Sequence, residues 1–369
     1  MRVLAMPKRN LHKKPFDEGT KDKLELYREY LREWLPVFIN SPFVDTLQIF
    51  DFFAGPGIDI DGNPGSPVIA CDEIRNVLGQ CNERHIKVRM YFNEYAADKY
   101  KKLLECLNLQ KQHLTDVVFT TKQNDFRDAF NQWNPLMQGK VANLLFLDQN
   151  GVDQITKSIF QNIVKIPRTD FIFFISSAMV NRFKKSPEIC GHLPIKKEDF
   201  ASMNGQNVHR ILANSYPRWI PDGEQYFLGS FSIKKGANVY GLVFGSGHPL
   251  GMDKFLKVAW KHGGDANFDI DNDGIDPEQP SLFSEYDKPT KISEFEKAVE
   301  KELLARHLKT NKDIYLFALR NGMLAAHAKD ALNLLVDNAK LPKQKFRVSY
   351  DAWKKLDAES IQLFAGEKK

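Results

Sequence analysis

None of the apolar runs in this chain reaches the ~18 residues that a membrane-spanning helix needs, so no association with a bilayer is expected. Cysteine is scarce. The 369 residues hold four, Cys71, Cys81, Cys106 and Cys190, far apart and with no Cys-x-x-Cys. Such spacing supports neither a disulfide framework nor a metal site, and free thiols in a reducing cytoplasm are the expectation. The basic stretch from Met1 to Lys14 lacks an apolar core, so no secretion signal is expected there. No charge of one sign dominates: the net charge is +5, which permits a nucleic-acid partner without demanding one. Hydrophobic content of 43% and charged content of 27% are those of an ordinary globular protein, and the length suits two or three domains.

What is present centres on Leu47-Gln-Ile-Phe-Asp-Phe-Phe-Ala-Gly-Pro-Gly57. The apolar run Leu47 to Phe53 has the length and composition of a buried strand, and it stops at a glycine turn. A strand that empties into such a turn at the carboxyl edge of a parallel sheet makes a nucleotide crevice, and Asp51 carries a carboxylate to it. An ordinary strand-to-loop turn is the alternative. A polar loop, Ile58 to Gly65, follows. Ser66 and Pro67 then predict a helix start, with Ser66 as N-cap and Gly79 ending the helix. A dinucleotide fingerprint would enter its helix at once, so oxidoreduction with a nicotinamide cofactor fits poorly.

Ahead of this strand, Leu24, Tyr27, Leu31, Trp34, Leu35 and Phe38 recur at three and four, predicting an amphipathic helix from Lys21 to Ile39 with Thr20 as its cap. Residues 1–20 are expected to be loose. Ile86 to Phe92 predicts a second strand closed by Asn93-Glu94, where an acid can grip ribose hydroxyls or simply face solvent. A helix over 96–109 and a third strand, Val117 to Thr121, come next. Asp125 and Phe126 then stand where an acid and an aromatic could bond and stack an adenine. Val141 to Leu147 predicts a fourth strand ending at Asp148-Gln149-Asn150-Gly151, and Phe171 to Ile175 a fifth. Continuous apolar strands imply a parallel sheet with helices on both faces. Tyr226–Ile233 and Val239–Gly245 predict a closing hairpin at the sheet edge.

Between the fifth strand and that hairpin, an insertion of about 178–224 mixes basic and aromatic residues, among them Arg182, Lys184, Lys185, Arg210, Tyr216, Arg218 and Trp219. That mixture suits phosphate contacts with base stacking, or a solvated excursion. Asp269 to Gly274 imitates a calcium loop, but its twelfth position is Pro280 rather than glutamate, so a linker over 264–291 is the better reading and no metal is expected. From 292 to 369, three helices (Ile292–Leu308, Lys312–Arg320, Ala325–Ala339) and a strand, Phe346 to Tyr350, predict a winged-helix-like domain, either a nucleic-acid reader or a protein dock.

The strand-end pattern resembles the Rossmann-like sheet of class I S-adenosylmethionine-dependent methyltransferases. More narrowly, the chain resembles the three-Cys-motif partner protein family. The matching elements are Tyr30-Leu-Arg-Glu-Trp-Leu35, Asp51 to Gly57, Gly65-Ser-Pro67, Ser246-Gly-His-Pro-Leu-Gly251, and the tail's Tyr350 and Trp353. The resemblance implies an α/β methyltransferase domain over 21–263, S-adenosylmethionine as cofactor, and a partner bearing three cysteines that resembles radical S-adenosylmethionine enzymes. It implies Asp51, Ala54, Gly55 and Gly57 around the methionine portion, Glu94 on the ribose, Asp125 and Phe126 on adenine, and Asp148 orienting the methyl acceptor. Relatives carry Asp-Pro-Tyr/Phe-Gly after the fourth strand. Here Asp148 is kept, but Gln149 and Asn150 replace the proline and the aromatic. These two could bond a different substrate. They also leave open a non-catalytic subunit that retains the pocket and binds nucleic acid or a partner.

Overall fold

The computed structural model describes residues 15–149, 154–176, 193–202, 211, 214–235, 238–263, 291–355 and 357–364. Its frame is a seven-stranded sheet: β1 Thr46–Asp51, β2 Lys87–Asn93, β3 Val117–Lys122, β4 Val141–Leu147, β5 Thr169–Ser176, β6 Phe227–Lys235 and β7 Asn238–Ser246. The spatial order is β3-β2-β1-β4-β5-β7-β6. β1 to β5 are parallel, with Asp51 opposite Phe92 on β2 and Phe146 on β4. β7 runs antiparallel to β5, and β6 to β7, which is the hairpin the sequence predicts at the edge. The strand order turns back between β1 and β4, and ligands of open α/β sheets bind in the crevice beyond such a reversal.

Alternation along β1 sends side chains into two cores. Leu47 and Ile49 join a cluster with Tyr27, Trp34 and Leu35 of α1 (Glu18–Ile39), and with residues of α2 (Ser66–Glu83) and α3 (Ala97–Lys111). Phe50 and Phe52 join a second cluster on the other face, with α4 (Phe126–Trp133) and α5 (Lys157–Lys165). Each such side chain, fully buried, contributes roughly 1.5–3 kcal/mol. A short helix, α6 (Lys197–Ser202), lies in the insertion, and α7 (Pro249–Gly263) follows β7 and packs on α1.

Several local expectations are corrected. α1 begins three residues early because Asp17, not Thr20, caps it by accepting from the Thr20 amide. Pro36 sits inside α1, which runs on to Ile39. Gly65 is the N-cap of α2 and Ser66 is already helical; the helix passes through Gly79 to Glu83. α4 and α7 have no counterpart in the sequence reading.

The C-terminal unit holds α8 (Lys291–Leu304), α9 (Asn311–Arg320), α10 (Ala325–Asp337) and α11 (Tyr350–Lys354). Thr310 and Asp313 form a capping box on α9. Phe346 to Ser349 do not form the predicted strand. They run extended without a ladder, and Tyr350 instead opens α11, whose cap is the Ser349 hydroxyl. The unit docks on the first domain through α7: Trp260 Nε1 donates to Gly322 O (2.9 Å) and its ring meets His327 at 4.4 Å, while His248 sits edge-on to Tyr350 and Trp353. Among the described residues no helix is long and apolar enough to cross a membrane.

Candidate functional site

The turn after β1 is held in a conformation that needs glycine. Gly55 and Gly57 have φ of 62° and 87°, the left-handed region. A Cβ on Gly57 would also lie 2.8 Å from Cys106 Sγ of α3. The Ala54 amide donates to Asn93 O (2.9 Å) and the Gly65 amide to Gly57 O (2.8 Å), closing the loop on itself. Asp59 gathers that loop, accepting from the amides of Phe16, Asp61 and Asn63 and from Asn63 Nδ2.

Two carboxylates face this turn. Glu94, at the end of β2, is nearly buried; its Oε2 accepts from the Gly55 amide (3.0 Å) and its Oε1 from the Ala96 amide (2.7 Å). Asp51 is wholly buried. Its Oδ1 accepts from the Phe53 amide (3.1 Å), but Oδ2 has no hydrogen-bond partner among the described residues. Loss of hydration pushes its carboxyl up to about 7; the Ser66 side chain and the Phe53 amide oppose that rise, and the charges of Asp148 and Glu94 add to it. Tyr27 Oη of α1 is likewise buried without a partner among the described residues. Its hydroxyl is held well above the ordinary range by burial and then by the charge of Asp51. Buried polar atoms left unpaired cost free energy, so a donor that reached Asp51 Oδ2 or an acceptor that reached Tyr27 Oη would be favoured here.

At the end of β4, Asp148 is bonded by the ammonium of Lys23, which reaches over from α1 and lies 5.0 Å from the centre of the Phe174 ring. Gln149 is buried; its Oε1 accepts from the Gln154 amide (3.2 Å), and its Nε2 has no partner among the described residues. The structure therefore brings Asp51, Ala54, Gly55, Gly57, Glu94, Asp148 and Gln149 to the strand-order reversal. Lys23 is the residue the sequence reading missed. The signal was its place four residues before Tyr27, on the apolar stripe of α1, where a lysine needs a partner.

Asp125 and Phe126 stand at the end of β3 as expected, but with other duties. Asp125 caps α4 by accepting from the Arg127 amide (2.9 Å). Phe126 is buried against Phe52, Phe53 and Phe130. In the insertion, Tyr216 and Trp219 do not offer stacking faces: they are buried on Phe160 of α5, and Arg218 is bound to Asp199 (2.5 Å). Asn150, Arg182, Lys184, Lys185 and Arg210 lie outside the described residues, as does the acidic stretch Asp269 to Gly274. Two other motifs meet at the opposite end of the sheet. Tyr30 Oη donates to Asp170 Oδ2 (2.7 Å), and Ser246 adjoins the same carboxyl.

Residues 269–343 match the family of GMT-like wHTH domains, a stretch well under half the chain. No curated protein matches. Among solved structures, yhhF of Escherichia coli, a candidate methyltransferase, is 11% identical, covering 58% of this chain and 84% of its own, with a TM-score of 0.25. A SAM-dependent methyltransferase from Agrobacterium tumefaciens is 9% identical, covering 60% of each chain, with a TM-score of 0.31. A candidate transferase of Pyrococcus horikoshii is 13% identical, covering 59% and 62%, with a TM-score of 0.27. The fold rests on the strand order itself: a mixed sheet of class I methyltransferase type, flanked by helices, followed by a wHTH-like domain.

Proposed function

We propose that the chain transfers a methyl group from S-adenosylmethionine to a nucleic acid or nucleotide-like acceptor, working with a three-Cys-motif partner. The observation that carries this is the buried Asp51 Oδ2, unpartnered among the described residues, beside the glycine turn that Glu94 fastens at the strand reversal. A ligand with an ammonium, a sulfonium and a ribose suits that donor set: Asp51 and the Gly55–Gly57 turn for the amino-acid end, Glu94 for the hydroxyls. Each Glu94 oxygen holds one backbone amide and keeps capacity for a second bond. Bound there, S-adenosylmethionine supplies an electrophilic methyl group. The protein's task is alignment: Asp148 and Gln149 fix the acceptor in line, and the low-dielectric wall of Phe146 and Phe174 excludes water. A base taken from a duplex would have to be flipped out to reach this crevice.

Calorimetry with S-adenosylmethionine and S-adenosylhomocysteine tests the reading. Micromolar binding that Glu94→Ala and Gly55→Asp abolish is expected; unchanged affinity in both variants would refute the site. A second reading, a non-catalytic subunit that keeps the pocket, is favoured by one observation: Asp148 already spends its charge on Lys23. Labelled-methyl transfer to total nucleic acid, with and without the partner, separates the two.

A further inference from the structure

The segment between α10 and α11 alternates strictly. Gln344, Phe346 and Val348 face inward, the last two buried, whereas Lys343, Lys345 and Arg347 are exposed. The inward face is fastened. Gln344 Nε2 donates to Gln362 O (2.8 Å), the Gln362 amide returns to Gln344 Oε1 (3.0 Å), and Asn311 Nδ2 donates to Arg347 O (3.2 Å). The outward face is therefore a row of cations on a fixed extended backbone, repeating at roughly 6.5 Å and spanning about 13 Å. Lys343 and Lys345 have no ion-pair partner among the described residues, and Arg347 has only an exposed contact with Glu359 (3.2 Å), of a kind worth little. Lys354, the last residue of α11, and Lys355 after it are exposed as well.

We infer that this stripe, rather than α10, binds the phosphate backbone of a duplex nucleic acid. α10 is poorly placed to read one: His327 in its first turn is packed on Trp260, and its outward Lys329, Asp330, Asn333 and Asp337 carry a net charge of −1, one cation against two anions. A single strand would want successive exposed aromatic rings to stack on; Phe346 in the stripe segment is buried, and the exposed ring of Phe364, two residues past Gln362, does not make such a row. A pre-ordered row of cations without a row of stacking faces suits a stiff polyanion whose bases stay paired. The inference extends the nucleic-acid side of the proposed function and does not depend on methyl transfer.

Fluorescence anisotropy with a labelled 30-base-pair DNA duplex, titrated across salt on the full chain, tests it. Lys343→Ala/Lys345→Ala/Arg347→Ala should weaken binding at least tenfold near 0.1 M salt. It should also lower the log–log salt slope by about 2.7, three contacts at 0.9 each. Lys329→Ala should leave the slope within one. An unchanged slope in the triple variant, no duplex binding by the parent chain, a larger effect from Lys329→Ala, or a preference for phosphatidylserine vesicles over duplex would each overturn the inference. S-adenosylhomocysteine affinity and melting temperature, measured in parallel, show that the triple variant is folded. They also keep a failure of the cofactor site distinct from a failure of the stripe.

Discussion

The ammonium of Lys23, on the second turn of α1, is bonded to the carboxylate of Asp148 at the end of β4. This pair ties the first helix to the candidate acceptor position, and it sets a positive charge beside a site proposed for a cationic cofactor. Lys23→Met should therefore tighten S-adenosylmethionine, which carries a sulfonium, relative to S-adenosylhomocysteine, which does not. At an effective dielectric between protein and water the change is about 1 kcal/mol, roughly fivefold in the affinity ratio. Calorimetry with both ligands reads it; an unchanged ratio would place Lys23 away from the sulfur.

Asp51 should contribute stability that is lost as pH rises. Its carboxyl is pushed up to about 7 in the folded chain by burial, whereas in the unfolded chain it titrates near 4. Between those values the folded state holds a proton that the unfolded state has lost, so raising the pH favours unfolding across that window. The limit is about 4 kcal/mol. Asp51→Asn should flatten urea-derived stability between pH 4 and 7. Some slope will persist because burial also raises Asp170, to about 6. If Asp51 meets a cationic ligand, binding near pH 6 should release up to about one proton, visible as a dependence of the calorimetric heat on buffer ionisation enthalpy.

Gly57→Ala should destabilise by roughly 2–4 kcal/mol, from a left-handed φ and from the new Cβ meeting Cys106 Sγ. The two causes can be separated. Cys106→Ala added to Gly57→Ala removes the contact but not the dihedral cost, so thermal melting should recover only part of the loss. Full recovery would mean that the turn carries no conformational strain.

The centre of the sheet was legible because β4 and most of β1 and β5 are short continuous apolar runs, the signature of strands buried on both faces. The glycine turn and the place of Glu94 at the end of β2 were legible for a local reason: turn glycines and a strand-end acid announce themselves within a few residues. What escaped depends on contacts distant in sequence. Lys23 to Asp148 spans 125 residues, and nothing within α1 names its partner. Phe126, Tyr216 and Trp219 look like stacking platforms in sequence because an aromatic carries the same signal in a core as at a surface. The Phe346–Tyr350 strand failed because alternation alone describes an extended segment equally well; a strand needs a neighbour, and here side chains such as Gln344 take the place of a ladder.

Tyr30 gives a contrast with the cleft. Its hydroxyl donates to Asp170, which is buried at the end of the sheet away from the glycine turn, and Ser246, whose Oγ donates to His248 O, lies beside the same carboxyl. The two sequence motifs that contain Tyr30 and Ser246 therefore meet at a buried carboxylate away from the glycine turn. Tyr30→Phe removes one donor from a buried carboxylate and should cost about 1–3 kcal/mol of unfolding free energy. Because the remaining donors are fewer, the Asp170 carboxyl should titrate higher still, and the loss should be largest above pH 6, where the parent chain holds it ionised. Cofactor affinity, measured by calorimetry at a temperature where the variant is fully folded, should stay within twofold of the parent chain. A large loss of affinity with unchanged stability would mean that α1 transmits the Asp170 contact to Lys23 and the cleft, and the division of the fold into a structural end and a working end would have to be abandoned.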